Sequence, residues 1–99
     1  MFVVVWEFTI LPDHRAEFER AYGPGGDWAR LFRRAPGYVE TVLLHDTDRP
    51  DVYLTIDRWR TPNDFTAGMA SLGPDYHALD EACSRLTVKE RKLGGYTEV

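Results

Sequence analysis

The sequence predicts one α+β domain whose elements run strand, helix, strand, strand, helix, strand, and three observations carry that prediction. Residues 2–10, 38–46 and 52–59 are rich in β-branched and aromatic residues and are bounded by turn-forming clusters, as strands are. Residues 13–35 and 61–86 space their apolar residues as helices do and open on helix-start signals. The first two strands also carry apolar residues on both faces, so each face of the sheet needs a cover.

The 99 residues, 43% hydrophobic and 28% charged, fit a single globular domain spanning 1–99. Folding at this length hides only roughly 60–65% of the unfolded surface, which leaves the core marginal and makes a second copy the simplest supplement. Cys83 is the one cysteine, excluding an internal disulfide and a cysteine-rich zinc site and favouring a cytoplasmic setting. Nucleic acid is not expected as a partner: the net charge is −4, and the basic run Lys89 to Lys92 is interrupted by Glu90. No membrane partner is expected either, since the apolar run Phe2 to Trp6 is short and meets Glu7 at once. Asp13, Asp27, Asp64 and Asp75 read as helix starters, and no spacing among the His and acidic residues suggests a metal site.

Each element follows from local chemistry. The first strand sets Phe2, Val4, Trp6, Phe8 and Ile10 against Val3, Val5, Glu7 and Thr9. Pro12-Asp13 opens a helix that Asp13 is placed to cap, with Phe18, Ala21 and Tyr22 on one stripe, until Gly23-Pro24-Gly25-Gly26 breaks it. A second piece capped by Asp27 carries Trp28, Leu31, Phe32 and Ala35 at helical spacing and stops at Pro36-Gly37. Two strands then form a hairpin around the turn-forming residues Asp46 to Asp51. Thr61-Pro62-Asn63-Asp64 starts the next helix with a Thr cap and Pro at its first position. Gly73-Pro74 is expected to interrupt it. Beyond Asp75 the stripe Tyr76, Leu79, Cys83 and Leu86 is expected inside, with His77, Asp80, Glu81 and Ser84 in water. Lys89 to Lys92 either extends that helix or begins the last strand, which is expected to bend at Gly94-Gly95.

Right-handed connections put both helical segments on one face of a four-stranded antiparallel sheet, the ferredoxin-like arrangement. The other face, with Val3, Val5, Val42 and Leu44, would be a large exposed apolar patch. Packing on the same face of a second copy covers it, which predicts a two-fold homodimer closing an α+β barrel.

Three segments carry a family likeness: Phe8-Thr9-Ile10-Leu11-Pro12-Asp13 followed by Phe18, the Pro36-Gly37-Tyr38 entry to the second strand, and Leu54-Thr55-Ile56-Asp57-Arg58-Trp59 leading to Phe65. On these the chain resembles the antibiotic biosynthesis monooxygenase family of dimeric α+β barrels, which includes quinol-oxidising and haem-degrading members. The resemblance implies a substrate pocket between the sheet and the helices of one subunit, and oxidation of a small electron-rich aromatic by oxygen with no cofactor. The protein then supplies a dry cavity, a proton acceptor and dipoles that hold an anion.

By this resemblance Trp59 matches the family's pocket tryptophan. Thr55 stands where quinol-type members have Asn, and Phe65 where they have Tyr. His45 is the candidate proton acceptor, since a free imidazole titrates near pH ~6.5. Trp6, Phe65 and Tyr76 are the expected aromatic, substrate-binding walls. The haem-degrading pattern asks for Asn where Trp6 stands and for an iron-binding His on the second helix, where the stripe turns His77 to solvent. Structural readings stand beside these: Trp6 as core filler, Trp59 as the seal of a strand-helix corner, His45 as a hairpin residue. A ligand-binding or accessory dimer without catalysis is the alternative function.

Overall fold

The computed structural model describes residues 1–99. Its elements are β1 (Phe2–Ile10), a 3-10 turn (Pro12–His14), α1 (Arg15–Tyr22), α2 (Asp27–Phe32), β2 (Tyr38–His45), β3 (Val52–Trp59), α3 (Pro62–Cys83), a second 3-10 turn (Ser84–Leu86) and β4 (Thr87–Thr97). The strands form one antiparallel sheet in the order β2-β3-β1-β4, the ferredoxin-like topology. Register sets Trp6 opposite Thr55 and Thr55 opposite Leu43, so these side chains share a face. The helices cover that face. Phe18 and Tyr22 from α1, Trp28, Leu31 and Phe32 from α2 and Leu72 from α3 join Phe8, Ile10, Tyr53 and Trp59 in one core cluster.

Thr61 caps α3 as expected, its Oγ accepting the Asp64 N–H at 3.0 Å. The other helix starts differ from expectation. No side chain caps α1, because residues Pro12–His14 form a tight turn of their own, closed by the His14 N–H on the Leu11 carbonyl at 2.9 Å. Asp13 therefore lies inside that turn. Nor does Asp27 cap α2. Gly26 holds the cap position, where a side chain would overlap the Arg20 and Ala21 carbonyls, and Asp27 pairs with Arg30 one turn on.

The largest correction concerns α3, which runs unbroken through Gly73-Pro74. Pro74 cannot donate to the Ala70 carbonyl, a defect that costs about 3 kcal/mol in a free helix. Packing on both sides overrides it: Gly68 and Leu72 are buried before the proline and Cys83 after it. Lys89 to Lys92, which the sequence allows as helix or strand, belong to the strand: α3 ends at Cys83, and β4 pairs with β1 from Thr87 onward. Near its end β4 carries an extra residue. Trp6 stands opposite Lys92 and Val5 opposite Gly94, so Leu93 is bulged out, and Gly94 adopts φ +153, which favours glycine.

The second sheet face has no cover within the chain. Val3, Val5, Val42, Leu44, Leu54 and Ile56 alternate away from the helices, and Leu44 is 43% exposed. No helix is long and apolar enough to cross a membrane.

Candidate active site

Between the helix-covered face of the sheet and the helices lies a pocket of about 450 Å³, its open mouth included. Its sheet side is Trp6 and Phe8 from β1, Thr41 from β2, Thr55 and Asp57 from β3, and Glu90 from β4. Its helix side is Tyr22, Trp28, Phe32, Tyr76 and Asp80. Aromatic contacts fix these walls. Trp28 meets Tyr76 edge-on at 5.0 Å between centroids, and Phe8 meets Tyr22 at 4.8 Å.

Asp57 is the polar centre of this space. Strand alternation from Tyr53 through Thr55 places its side chain under the helices, where carboxylates are rare. The Thr41 hydroxyl donates to Asp57 Oδ1 at 2.6 Å, and Tyr38 Oη lies 2.7 Å from Thr41 Oγ. An ionised carboxylate can only accept, so Thr41 spends its one proton on Asp57 and Tyr38 must donate to Thr41. The two hydroxyls thus form a chain pointing at the carboxylate. Burial pushes the Asp57 carboxyl up to about 6, against the pull of the Thr41 hydrogen bond in the other direction.

Other groups feel the same surroundings. Burial raises the Tyr22 phenol strongly. It also raises the Tyr76 phenol, with added repulsion from Asp80, Glu90 and Asp57. The Glu90 carboxyl is held above its usual range by partial desolvation and then by Asp80. Asp80 and Glu90 stand at the mouth, half-buried and exposed respectively.

The family model for antibiotic biosynthesis monooxygenases matches residues 1–79. The chain belongs to the antibiotic biosynthesis monooxygenase family. Among solved structures it is similar to SnoaB, a cofactor-independent oxygenase from Streptomyces nogalater, at 24% identity and a TM-score of 0.72, covering 99% of this chain and 92% of that one. It also resembles a Bordetella bronchiseptica protein assigned to the same family, at 16% identity and TM-score 0.76, covering 99% and 96%. A conserved protein of Methanosarcina mazei matches at 12% identity and TM-score 0.72, covering 99% and 92%. At these identities the likeness is one of fold. No curated protein matches the sequence.

Within this family member, the residues singled out from sequence separate into two groups. Trp6, Thr55 and Tyr76 come together on the pocket wall. Trp59, Phe65 and His45 lie outside it. Trp59 has no exposed surface and fills the corner where β3 meets α3, against Phe32, Tyr38 and Phe65 at centroid distances of 5.8, 5.4 and 5.6 Å. Phe65 packs behind it on Phe2, at 5.7 Å.

His45 shares the helix-side face of β2, but at its far end. Its ring stacks on Tyr53 at 4.3 Å, and its Nε2 donates to the Pro50 carbonyl at 2.7 Å. Tyr53 in turn bonds Glu19, and Arg15 bonds Tyr53 at 3.0 Å, so this cluster ties the hairpin to α1. His77 is exposed.

Sequence reasoning passed over Asp57, Thr41, Asp80 and Glu90 and took Tyr22 and Trp28 only as core. Two signals were available. Asp57 lies two residues from both Thr55 and Trp59, hence on their face, and Asp80 lies four from Tyr76, hence on its stripe.

Proposed function

We propose that this protein is a cofactor-independent monooxygenase that oxidises a small electron-rich aromatic, of quinol or polyketide type, with molecular oxygen. The observation that carries this is a carboxylate, Asp57, set inside an aromatic-walled pocket and held by the Thr41 hydroxyl, where desolvation pushes it up to about 6. A general base works best when it is ionised at the operating pH yet still basic enough to take a proton, and Asp57 meets both conditions near neutrality. SnoaB, a cofactor-independent oxygenase, shares the fold and supports the choice of reaction.

The chemistry needs no metal or flavin, because the deprotonated substrate is itself the reductant. Asp57 removes a proton from an activated CH2 or phenol, and the anion passes one electron to oxygen. For a CH2 group, the carbon radical and superoxide join in a new C–O bond, and the peroxide takes a proton. Loss of the second carbon proton then breaks the O–O bond, leaving a carbonyl and expelling water. One CH2 and one O2 thus become one C=O and one H2O. Thr55, buried beside Trp6, is placed to donate to the substrate anion, while the aromatic walls limit the entry of water. Purified protein given a panel of hydroquinones and anthrones at neutral pH should take up oxygen well above the spontaneous rate. Uptake no faster than in buffer across the panel would leave a ligand-binding domain without this catalysis.

The working unit in this proposal is a homodimer in the cytoplasm. Its interface is the uncovered sheet face, where Ile56 lies opposite both Val5 and Val42. Family membership and the area of unpaired apolar surface support it. The wild-type chain should sediment at twice its 11.4 kDa, whereas Ile56→Arg should sediment as a monomer with a lower melting temperature. A wild-type monomer at micromolar concentration would count against the interface.

A further inference from the structure

We propose that the pocket selects an aromatic substrate bearing a protonated amine, with Asp80 and Glu90 holding the ammonium at the mouth; this rests on the pocket being the substrate site. Three carboxylates line it, Asp57, Asp80 and Glu90, and no lysine or arginine does. None of the three makes an ion pair, although nine arginine–carboxylate pairs stud the rest of the surface. Lys92, the cation that β4 sets opposite Trp6, lies over the Phe65 ring at 5.5 Å.

The negative charges converge on one place, since Asp80, Glu90 and Asp57 all act on the Tyr76 phenol. Inside, the walls are aromatic: Trp28, 7% exposed, meets Tyr76 edge-on at 5.0 Å between centroids, beside Trp6, Phe8 and Phe32. The site therefore offers aromatic faces inside and unpaired negative charge at the mouth. An aromatic carrying an ammonium satisfies both, through cation–π contact with the walls and ion pairing at the rim. A carboxylate on the same ring would meet only like charge.

Three probes of one shape separate the cases: 2-naphthylmethylammonium, 2-naphthalenemethanol and 2-naphthoate, titrated calorimetrically into the full-length protein at pH 7.5 and low salt. The ammonium should bind about tenfold or more tighter than the carboxylate, with the alcohol between, and added salt should compress the difference. In the double variant Asp80→Asn/Glu90→Gln the ammonium should fall to the affinity of the alcohol. Equal or tighter binding of the carboxylate overturns the proposal, as does an ammonium preference that survives in the double variant, or no binding by any probe. Charge preference without oxygen uptake would keep this recognition and remove the oxygenase; uptake by neutral phenols without charge preference would do the reverse.

Discussion

Asp57→Asn is expected to stop turnover and stabilise the fold in the same stroke. Removal of a general base typically costs on the order of 10²–10⁴-fold in rate, so oxygen uptake should drop to near background. Wild-type uptake should rise with pH through about 6 as the carboxylate ionises, and that limb should vanish in the variant.

The stability effect runs the opposite way. Burial lifts the Asp57 carboxyl from 3.8 to about 6, so the folded chain binds this proton more tightly than the unfolded chain does. The protonated group favours folding fully below pH 3.8, and that contribution is lost as pH rises to about 6. At pH 7 the ionised carboxylate then costs the fold about 3 kcal/mol. Asparagine keeps an acceptor for Thr41 and carries no charge. Its denaturation midpoint should exceed that of wild type at pH 7 to 8, and the advantage should fade below pH 4. Uptake unchanged in the variant would remove the base role, while a lower midpoint at pH 8 would remove the account of a charge held in the fold against its preference.

Trp59→Ala should come close to unfolding the protein. A fully buried aromatic truncated to alanine costs about 3–5 kcal/mol, and a domain of this size has only about 5–15 to lose. Several neighbours are shaped to this ring. Gly68 passes so near it that an added Cβ would sit 3.0 Å from two of its atoms. Trp59→Phe is the informative companion. The indole N–H of Trp59 is buried without an acceptor, so phenylalanine loses volume but also discards an unpaired donor, for a net cost of about 1–2 kcal/mol. Because Trp59 lies outside the pocket, the folded Phe variant should keep its turnover within about twofold. Chemical denaturation and oxygen uptake on the same samples check both statements. A well-folded Phe variant without activity would bring Trp59 back into the chemistry.

The fold was legible in the sequence where side chains repeat with a clear period. Alternation in β1 and the β-rich stretches of β2 and β3 revealed the strands, and Thr61-Pro62 marked the start of α3. The Gly73-Pro74 pair misleads because local propensity is a weak prior beside the burial of Gly68, Leu72 and Cys83 along one helix. The site was harder to see. A charged residue such as Asp57 between Ile56 and Arg58 resembles the wet side of a strand, and only its parity with Thr55 and Trp59 tells otherwise. Asp80 presents the same problem on a helix, where a carboxylate four residues from a tyrosine reads as solvated until a cavity opens beside it. For His45 the face of the strand was not enough; its distance along the strand from the pocket decides its surroundings.

The pairing of β1 with β4 bears on how the molecule is made. During synthesis the central strand emerges first, but its partner on one side emerges after every other element. Until then β1 is hydrogen-bonded only toward β3, and Gly95 has yet to close beneath the Phe2 ring. Such long-range pairing slows folding and leaves a sticky edge on the nascent chain. The pocket is finished in that same final step, since Trp6 and Glu90 reach it from the two strands that meet last. Ribosome-bound chains halted before residue 87 would therefore hold the hairpin and both helical segments yet offer a ligand no completed cavity.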